Sequence, residues 1–309
     1  MSMILHLTLV LLSAASAVAT AREHREPRER REQVASVTAR LADPRPLVIA
    51  HRGCWRQPAE NSFAAIAACA ALGVDIVEID LRQTKDGVIV LLHDDSLERT
   101  TSLRGPLREK THTELQSALL RREAGGSDAA LTDQHLPTFE EVLAAPLNVL
   151  FFLDIKEPVH EPVARLLDKH DAWDRVLFSM NKEFGPALMQ ARIVGRAAVM
   201  PKLSENFGGK CASGLDPGPD LLAYAKLHAL MYEVVFCDDR FFDLARAQAR
   251  GARLWVNALG PVFAGGRDEA TALANPDAVW GELLAHGASA LQTDHPNELI
   301  AYLRKTGRW

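Results

Sequence analysis

Residues Leu47 to Thr101 read LVIAHRGCWRQPAENSFAAIAACAALGVDIVEIDLRQTKDGVIVLLHDDSLERTT, and the punctuation of this stretch decides the fold. Leu47 to Ala50 is a short unbroken apolar run, the pattern of a strand buried on both faces. Asn61-Ser62 opens an alanine-rich helix that runs to Leu72, and Gly73 closes it. Val74 to Leu81 is a second strand carrying Glu78 and Asp80. Thr84-Lys85-Asp86-Gly87 is a tight turn, and Val88 to Leu92 is a further strand. A link this short cannot hold a parallel crossover, which needs about a dozen residues or more. The two strands therefore form a hairpin. If residues on either side of the turn pair in register, His93 returns to the level of Glu78 and Asp80.

The rest of the chain continues the alternation. Strands are expected at Val149 to Ile155, Arg175 to Ser179, Ala197 to Met200, Val234 to Cys237, Leu254 to Val256 and Ala290 to Gln292. Helical patterns fall at Pro137 to Ala144, Glu161 to His170, Gly185 to Gln190, Asp220 to Leu230, Phe242 to Arg250 and Ala278 to His286. Leaving out the returning hairpin strand, eight candidates remain for a parallel sheet. Strands alternating with helices indicate an α/β protein, and eight of them indicate a closed (β/α)8 barrel with a β-hairpin after its second strand. Chemistry in such barrels gathers at the C-terminal ends of the strands. His51, Glu78, Asp80, Asp154, Trp255 and Asn257 all lie at or near such ends. Thr100 to Gln134 is polar and reads as an excursion from the scaffold, with one helical piece near Thr113 to Arg122.

Composition sets the bounds. The chain has 309 residues, 48% of them apolar, and a formal charge of -5. That is enough apolar matter for a large core and gives no sign of nucleic-acid binding. The four cysteines (Cys54, Cys69, Cys211, Cys237) contain no CxxC pair, so a zinc site is not expected. A disulfide framework is not expected in a chain of this length either. Cys69 and Cys237 read as small core residues. At the N-terminus, an apolar run over Ile4 to Leu12 followed by small residues to Ala21 reads as a signal peptide over residues 1–21. It is too short to span a bilayer. A charged linker over 22–45 and a catalytic domain over 46–309 complete the organisation. Export to the periplasm or the medium follows from the signal peptide.

The ordered motifs are specific enough to name. His51-Arg52-Gly53, Glu60-Asn61-Ser62, Glu78-x-Asp80, Thr84-Lys85-Asp86-Gly87, His93-Asp94 and Arg99-Thr100-Thr101 resemble the glycerophosphodiester phosphodiesterase family. Asp154-x-Lys156, Trp255-Val256-Asn257 and Thr293-Asp294-x-Pro296 extend the likeness to nearly the whole mature chain. The resemblance implies a TIM barrel, one divalent cation, and hydrolysis of glycerophosphodiesters to glycerol 3-phosphate and an alcohol. The chain departs from the pattern at Asp154, where glutamate is commoner, and at Ala59 and Ser62, where proline and threonine are usual.

The residue chemistry agrees. Glu78 and Asp80 are two apart on a strand and so project from one face. Two carboxylates about 4 Å apart repel by roughly 4 kcal/mol at an effective dielectric near 20, and Asp154 adds a third charge. Three acids in one mouth call for a cation or a shared proton, unless they form a buried ion-pair cluster with Arg52, Lys156 or Arg99; for a cation, all-oxygen ligation favours Mg²⁺ or Ca²⁺. His51 and His93 suit general acid and base roles, because imidazole titrates near working pH. Arg52 and Lys156 are the expected phosphate contacts. Trp255 reads equally as an apolar wall for the substrate or as barrel packing, and Asn257 as a hydrogen-bonding partner for the substrate. The expected ligand is a small-molecule phosphodiester, with the 103–134 excursion shaping its choice. The rival readings are a barrel lipid phosphodiesterase acting on lysophospholipid or sphingolipid head groups, a binding protein that holds glycerophosphodiesters without cleaving them, and an unrelated barrel enzyme such as a metal-dependent aldolase, which would leave the paired histidines and the His51-Arg52-Gly53 run without a purpose.

Overall fold

The computed structural model describes residues 36–180, 193–212 and 214–309. The expected signal peptide, most of the expected linker and the helix expected over 185–190 lie outside the described residues. In chain order the strands are β1 (Leu47–Ala50), β2 (Ile76–Gln83), β3 (Ile89–Leu91), β4 (Leu119–Arg121), β5 (Leu131–His135), β6 (Leu150–Ile155), β7 (Val176–Met180), β8 (Ala198–Ser204), β9 (Asn206–Phe207), β10 (Lys210–Cys211), β11 (Met231–Val235), β12 (Arg253–Asn257) and β13 (Ala290–Thr293). Eight of them form a parallel ring in the order β1-β2-β6-β7-β8-β11-β12-β13, and β13 pairs back on β1. This is the closed (β/α)8 barrel expected from the alternation. The strand expected at Val234 to Cys237 begins three residues earlier, at Met231.

Side chains alternate along each strand, as the pleat requires. Val48, Val77, Ile79, Phe151, Leu153, Phe178, Val234 and Val256 belong to one large buried cluster with residues of the surrounding helices, such as Val163, Leu167, Phe242, Leu299 and Leu303. Each such side chain contributes about 1.5–3 kcal/mol when fully buried. The intervening residues fill the barrel. Phe152 and Trp255, on strands from different sides of the ring, meet there with ring centroids 4.8 Å apart.

The hairpin forms as expected. β3 pairs antiparallel to β2 with Leu81 opposite Leu91, and the Leu92 amide donates to the Asp80 carbonyl at 3.0 Å. His93 is thereby returned to the level of the β2 carboxylates. The helix Phe63–Leu72 is capped by the Ser62 hydroxyl and closed by Gly73 at φ 84°.

Four expectations are corrected. Residues 36–45 are not a free linker. Ser36 caps a helix over Val37–Ala42, Val37 and Leu41 are buried, and Arg40 and Arg45 both pair with the buried Asp75. The segment Thr113 to Arg122 is not one helix. A short helix, His112–Leu115, gives way to β4, which pairs with β5 over a small core of Leu97, Leu107, Leu115, Leu120 and Leu136. The cysteines form two disulfides, Cys54–Cys69 and Cys211–Cys237. The first joins the turn after β1 to the helix that packs against it, a proximity created by folding back and absent from the spacing. His160 falls in a polar, helical stretch of the sequence, which predicts a solvated side chain, but it is buried at the start of the helix His160–His170.

Candidate active site

Three neighbouring strands build this side of the mouth. β1 and β2 are neighbours, as are β2 and β6, so His51, Glu78, Asp80 and Asp154 share one sector of the rim. Asp154 stands directly abreast of Asp80. Oxygens of Glu78, Asp80 and Asp154 all lie within 4.8 Å of one another, the one group of three or more metal-capable side chains among the described residues. Glu78 and Asp80 are buried, whereas the Asp154 side chain keeps 36% exposure. Burial and the neighbouring charges of Asp80 and Asp154 push the Glu78 carboxyl well above its ordinary pKa. Burial works the same way on Asp80, but Lys156 and Arg52 outweigh it and hold that carboxylate below its ordinary range.

The cations of the mouth are held by these acids. The Lys156 ammonium lies 2.6 Å from Asp154 Oδ2 and 2.9 Å from Asp80 Oδ1. Arg52 adopts φ 54°, and this left-handed turn aims its own amide at Glu78 Oε2, 2.7 Å away. Its guanidinium reaches Glu60 and approaches Asp80 at 3.4 Å. Asn61, also left-handed at φ 54°, holds Asp80 reciprocally. Its amide donates to Asp80 Oδ2 at 2.7 Å, and its oxygen accepts from the Asp80 amide at 3.1 Å.

Each histidine is oriented by an aspartate. His51 Nδ1 lies 2.8 Å from Asp294 Oδ1, which also accepts from the Trp55 indole at 3.0 Å. His93 Nδ1 lies 2.7 Å from Asp94 Oδ1. Hydrogen bonds from Arg99 and His93 hold Asp94 at a pKa of about 2, and although burial opposes it, the His51 hydrogen bond lowers Asp294 as well. An ionised carboxylate only accepts, so Nδ1 of each imidazole carries the hydrogen and Nε2 is the nitrogen left for proton exchange. Burial lowers the His93 pKa, outweighing the pull of Asp80 and Asp94. A continuous ionic chain joins the two histidine-bearing turns: Arg52 to Glu60, Glu60 to Arg99, Arg99 to Asp94, Asp94 to His93.

The structure thus brings His51, Arg52, Glu78, Asp80, His93, Asp154 and Lys156 together. Trp255 is different. It is 0% exposed, packs against Phe152 with the ring planes tilted by 50°, and donates its indole hydrogen to Gln292 at 3.3 Å. Of its two readings, barrel packing is the one observed, because β12 directs the ring inward beneath the mouth. Asn257 is nearly buried, and its side-chain oxygen caps the turn after β12 by accepting from the Leu259 amide. The supporting residues Glu60, Asn61, Asp94 and Asp294 lie inside the quoted motifs, but their roles were not assigned from sequence. Adjacency signals the Asp94 role, whereas only chain closure reveals Asp294, 243 residues from His51.

A closed (β/α)8 barrel with a polar, ionic cluster at the C-terminal ends of its strands belongs to the class of barrels that carry chemistry on that face. Comparison with known proteins narrows the class. Residues 51–195 match the model of the glycerophosphoryl diester phosphodiesterase family, and residues 219–303 match a domain of unknown function. The span matched by that family model holds both histidines and all three carboxylates. A curated glycerophosphodiester phosphodiesterase from Caldanaerobacter subterraneus is 30% identical over 143 residues, 44% of this chain and 58% of that protein. The chain spans little more than half the length of the first curated relatives it matches. Among solved structures, a glycerophosphoryl diester phosphodiesterase from Parabacteroides distasonis shares the fold with a TM-score of 0.71 and 22% identity, over 89% of this chain and 93% of that one. An Oleispira antarctica phosphodiesterase, solved with the product sn-glycerol-3-phosphate, has a TM-score of 0.62 and 23% identity, over 84% of this chain and 97% of that one.

Proposed function

We propose that this protein hydrolyses glycerophosphodiesters to glycerol 3-phosphate and an alcohol. The observation that carries the reading is the convergence of two aspartate-oriented imidazoles on one carboxylate cluster flanked by Arg52 and Lys156. The family match and the product seen in the Oleispira antarctica neighbour support the substrate class.

The charge balance fits a divalent cation. The cluster holds the carboxylates of Glu60, Glu78, Asp80, Asp94 and Asp154 against the cations of Arg52, Arg99 and Lys156. That leaves two negative charges to be met by protons or by a metal ion. Glu78, Asp80 and Asp154 would hold Mg²⁺ or Ca²⁺, their donors being all oxygen. When bound, such an ion stabilises charge on a phosphoryl oxygen. Arg52 and Lys156 bind the non-bridging oxygens, their pairing with the acids keeping both charged and in place. One imidazole takes a proton at Nε2 from the attacking hydroxyl, and the other delivers one to the leaving oxygen. The excursion over 103–134 strongly exposes only one large apolar side chain, Leu131. A contiguous apolar rim suited to lipid aggregates is not formed there, which favours a water-soluble diester. Two disulfides support residence in an oxidising compartment and, with it, export.

The test incubates the protein with glycerophosphocholine and Mg²⁺ or Ca²⁺, with and without chelator. Release of glycerol 3-phosphate only when metal is supplied is expected. Binding of the diester without turnover under every metal condition would overturn the enzymatic reading in favour of a binding protein.

A further inference from the structure

One ion pair of the barrel interior is unused by the chemistry above. Lys202 on β8 and Glu233 on β11 stand abreast in register, with Nζ 3.0 Å from Oε1. β8 lies halfway round the ring from β1, so this pair forms the wall facing His51. Its two members differ in access: the Glu233 side chain is 8% exposed and the Lys202 side chain 39%. The carboxylate is therefore sunk in the wall and the ammonium presented to the cleft. Glu233 raises the Lys202 pKa and keeps it charged, and Asp154 and Lys156 also act on it, which places it within electrostatic range of the reacting cluster. Beside Glu233 in register, Trp255 closes the floor.

A substituent that extends across the cleft from a phosphodiester anchored by Arg52 and Lys156 reaches this wall. There it meets an ammonium donor backed by a carboxylate acceptor. That pair complements hydroxyl groups, and its exposed positive end repels a quaternary ammonium group. We propose that Lys202 and Glu233 form a polyol-recognition subsite that makes the protein prefer diesters with a hydroxylated second substituent over those with a cationic one. This inference rests on the phosphodiesterase reading above.

The test compares glycerophosphoglycerol with glycerophosphocholine, measuring kcat/KM for turnover and Kd by calorimetry on the same preparations. The wild type is expected to favour glycerophosphoglycerol by at least about tenfold, the worth of a charge-assisted hydrogen bond. In Lys202→Met the preference should fall about tenfold or more, and Lys202→Arg should restore most of it. Glu233→Gln, which keeps the shape of the pair, should also lower the preference, and it serves if Lys202→Met does not fold. A preference unchanged in Lys202→Met or Glu233→Gln, or a wild type that favours the choline diester, would overturn the subsite. Turnover of neither diester would count against the phosphodiesterase reading, and the Kd ratios would then decide the subsite.

Discussion

At the scale of single residues, the mouth depends on orientation more than on composition. An imidazole at a strand end is useful only if one nitrogen is tied down, and here Asp294 and Asp94 do that for His51 and His93. His51→Ala and His93→Ala should each lower kcat by about 10²-fold or more, with unchanged far-UV circular dichroism. Wild-type rates in either variant would remove the proton-transfer assignment. Behind Asp294 stands Glu269, which accepts hydrogen bonds from the Thr293 hydroxyl and the Asp294 amide. Burial, and then the charge of Asp294, raise its pKa to about 7 from 4.5. A raised carboxyl pKa means that the folded state binds the proton more tightly than the unfolded state. The Glu269 contribution is thus most favourable below pH 4.5 and is lost as pH climbs to about 7, by roughly 3 kcal/mol. Glu269→Gln, whose oxygen can keep both hydrogen bonds, should raise Tm at pH 8 and change it far less at pH 5. Thermal melts at the two pH values check this, and equal shifts at both would contradict it.

At the scale of elements, two features hold the loops that carry the site. The Cys54–Cys69 disulfide ties the turn bearing His51 and Arg52 to the helix Phe63–Leu72, closing a loop of 15 residues. The paired replacement Cys54→Ala with Cys69→Ala should cost about 2–4 kcal/mol in chemical denaturation. Mass mapping of unreduced peptides should show Cys54 linked to Cys69 and Cys211 linked to Cys237. Gly125 is the second feature. It has φ 74°, and a Cβ there would sit 2.2 Å from the Arg99 carbonyl oxygen. Arg99 is the link between Glu60 and Asp94, so Gly125→Ala should both lower Tm and reduce turnover, by displacing the His93 support. Unaltered Tm and rate would show that the excursion yields freely. Sequence reading located most barrel elements because apolar runs and helix caps are local signals. It failed at Leu119–Arg121, a strand whose partner Leu131–His135 alternates exposed and half-buried residues and presents no apolar face of its own.

At the scale of the molecule, the described residues form one compact unit, and none of the described helices is long and apolar enough to cross a membrane. A cation gathered by Glu78, Asp80 and Asp154 would draw on three carboxylates from two barrel strands, so its binding is coupled to the fold. Adding Mg²⁺ or Ca²⁺ at about a hundred times its Kd should stabilise the protein by roughly 2.7 kcal/mol. Glu78→Gln should abolish that gain. A Tm that ignores both metals and chelator would count against the ion.

Sequence alone determined the barrel, the hairpin and the identity of the acidic and imidazole side chains at the strand ends, because each is written in periodicity, turn chemistry and short spacings. Tertiary structure alone decided what meets across the ring. The Asp294 support of His51, the Lys202–Glu233 pair, the inward burial of Trp255 and both disulfides join residues that only barrel closure or the folding back of a helix brings together. The physical reason is that these contacts depend on the register and closure of the whole sheet, quantities that no local window of side chains encodes.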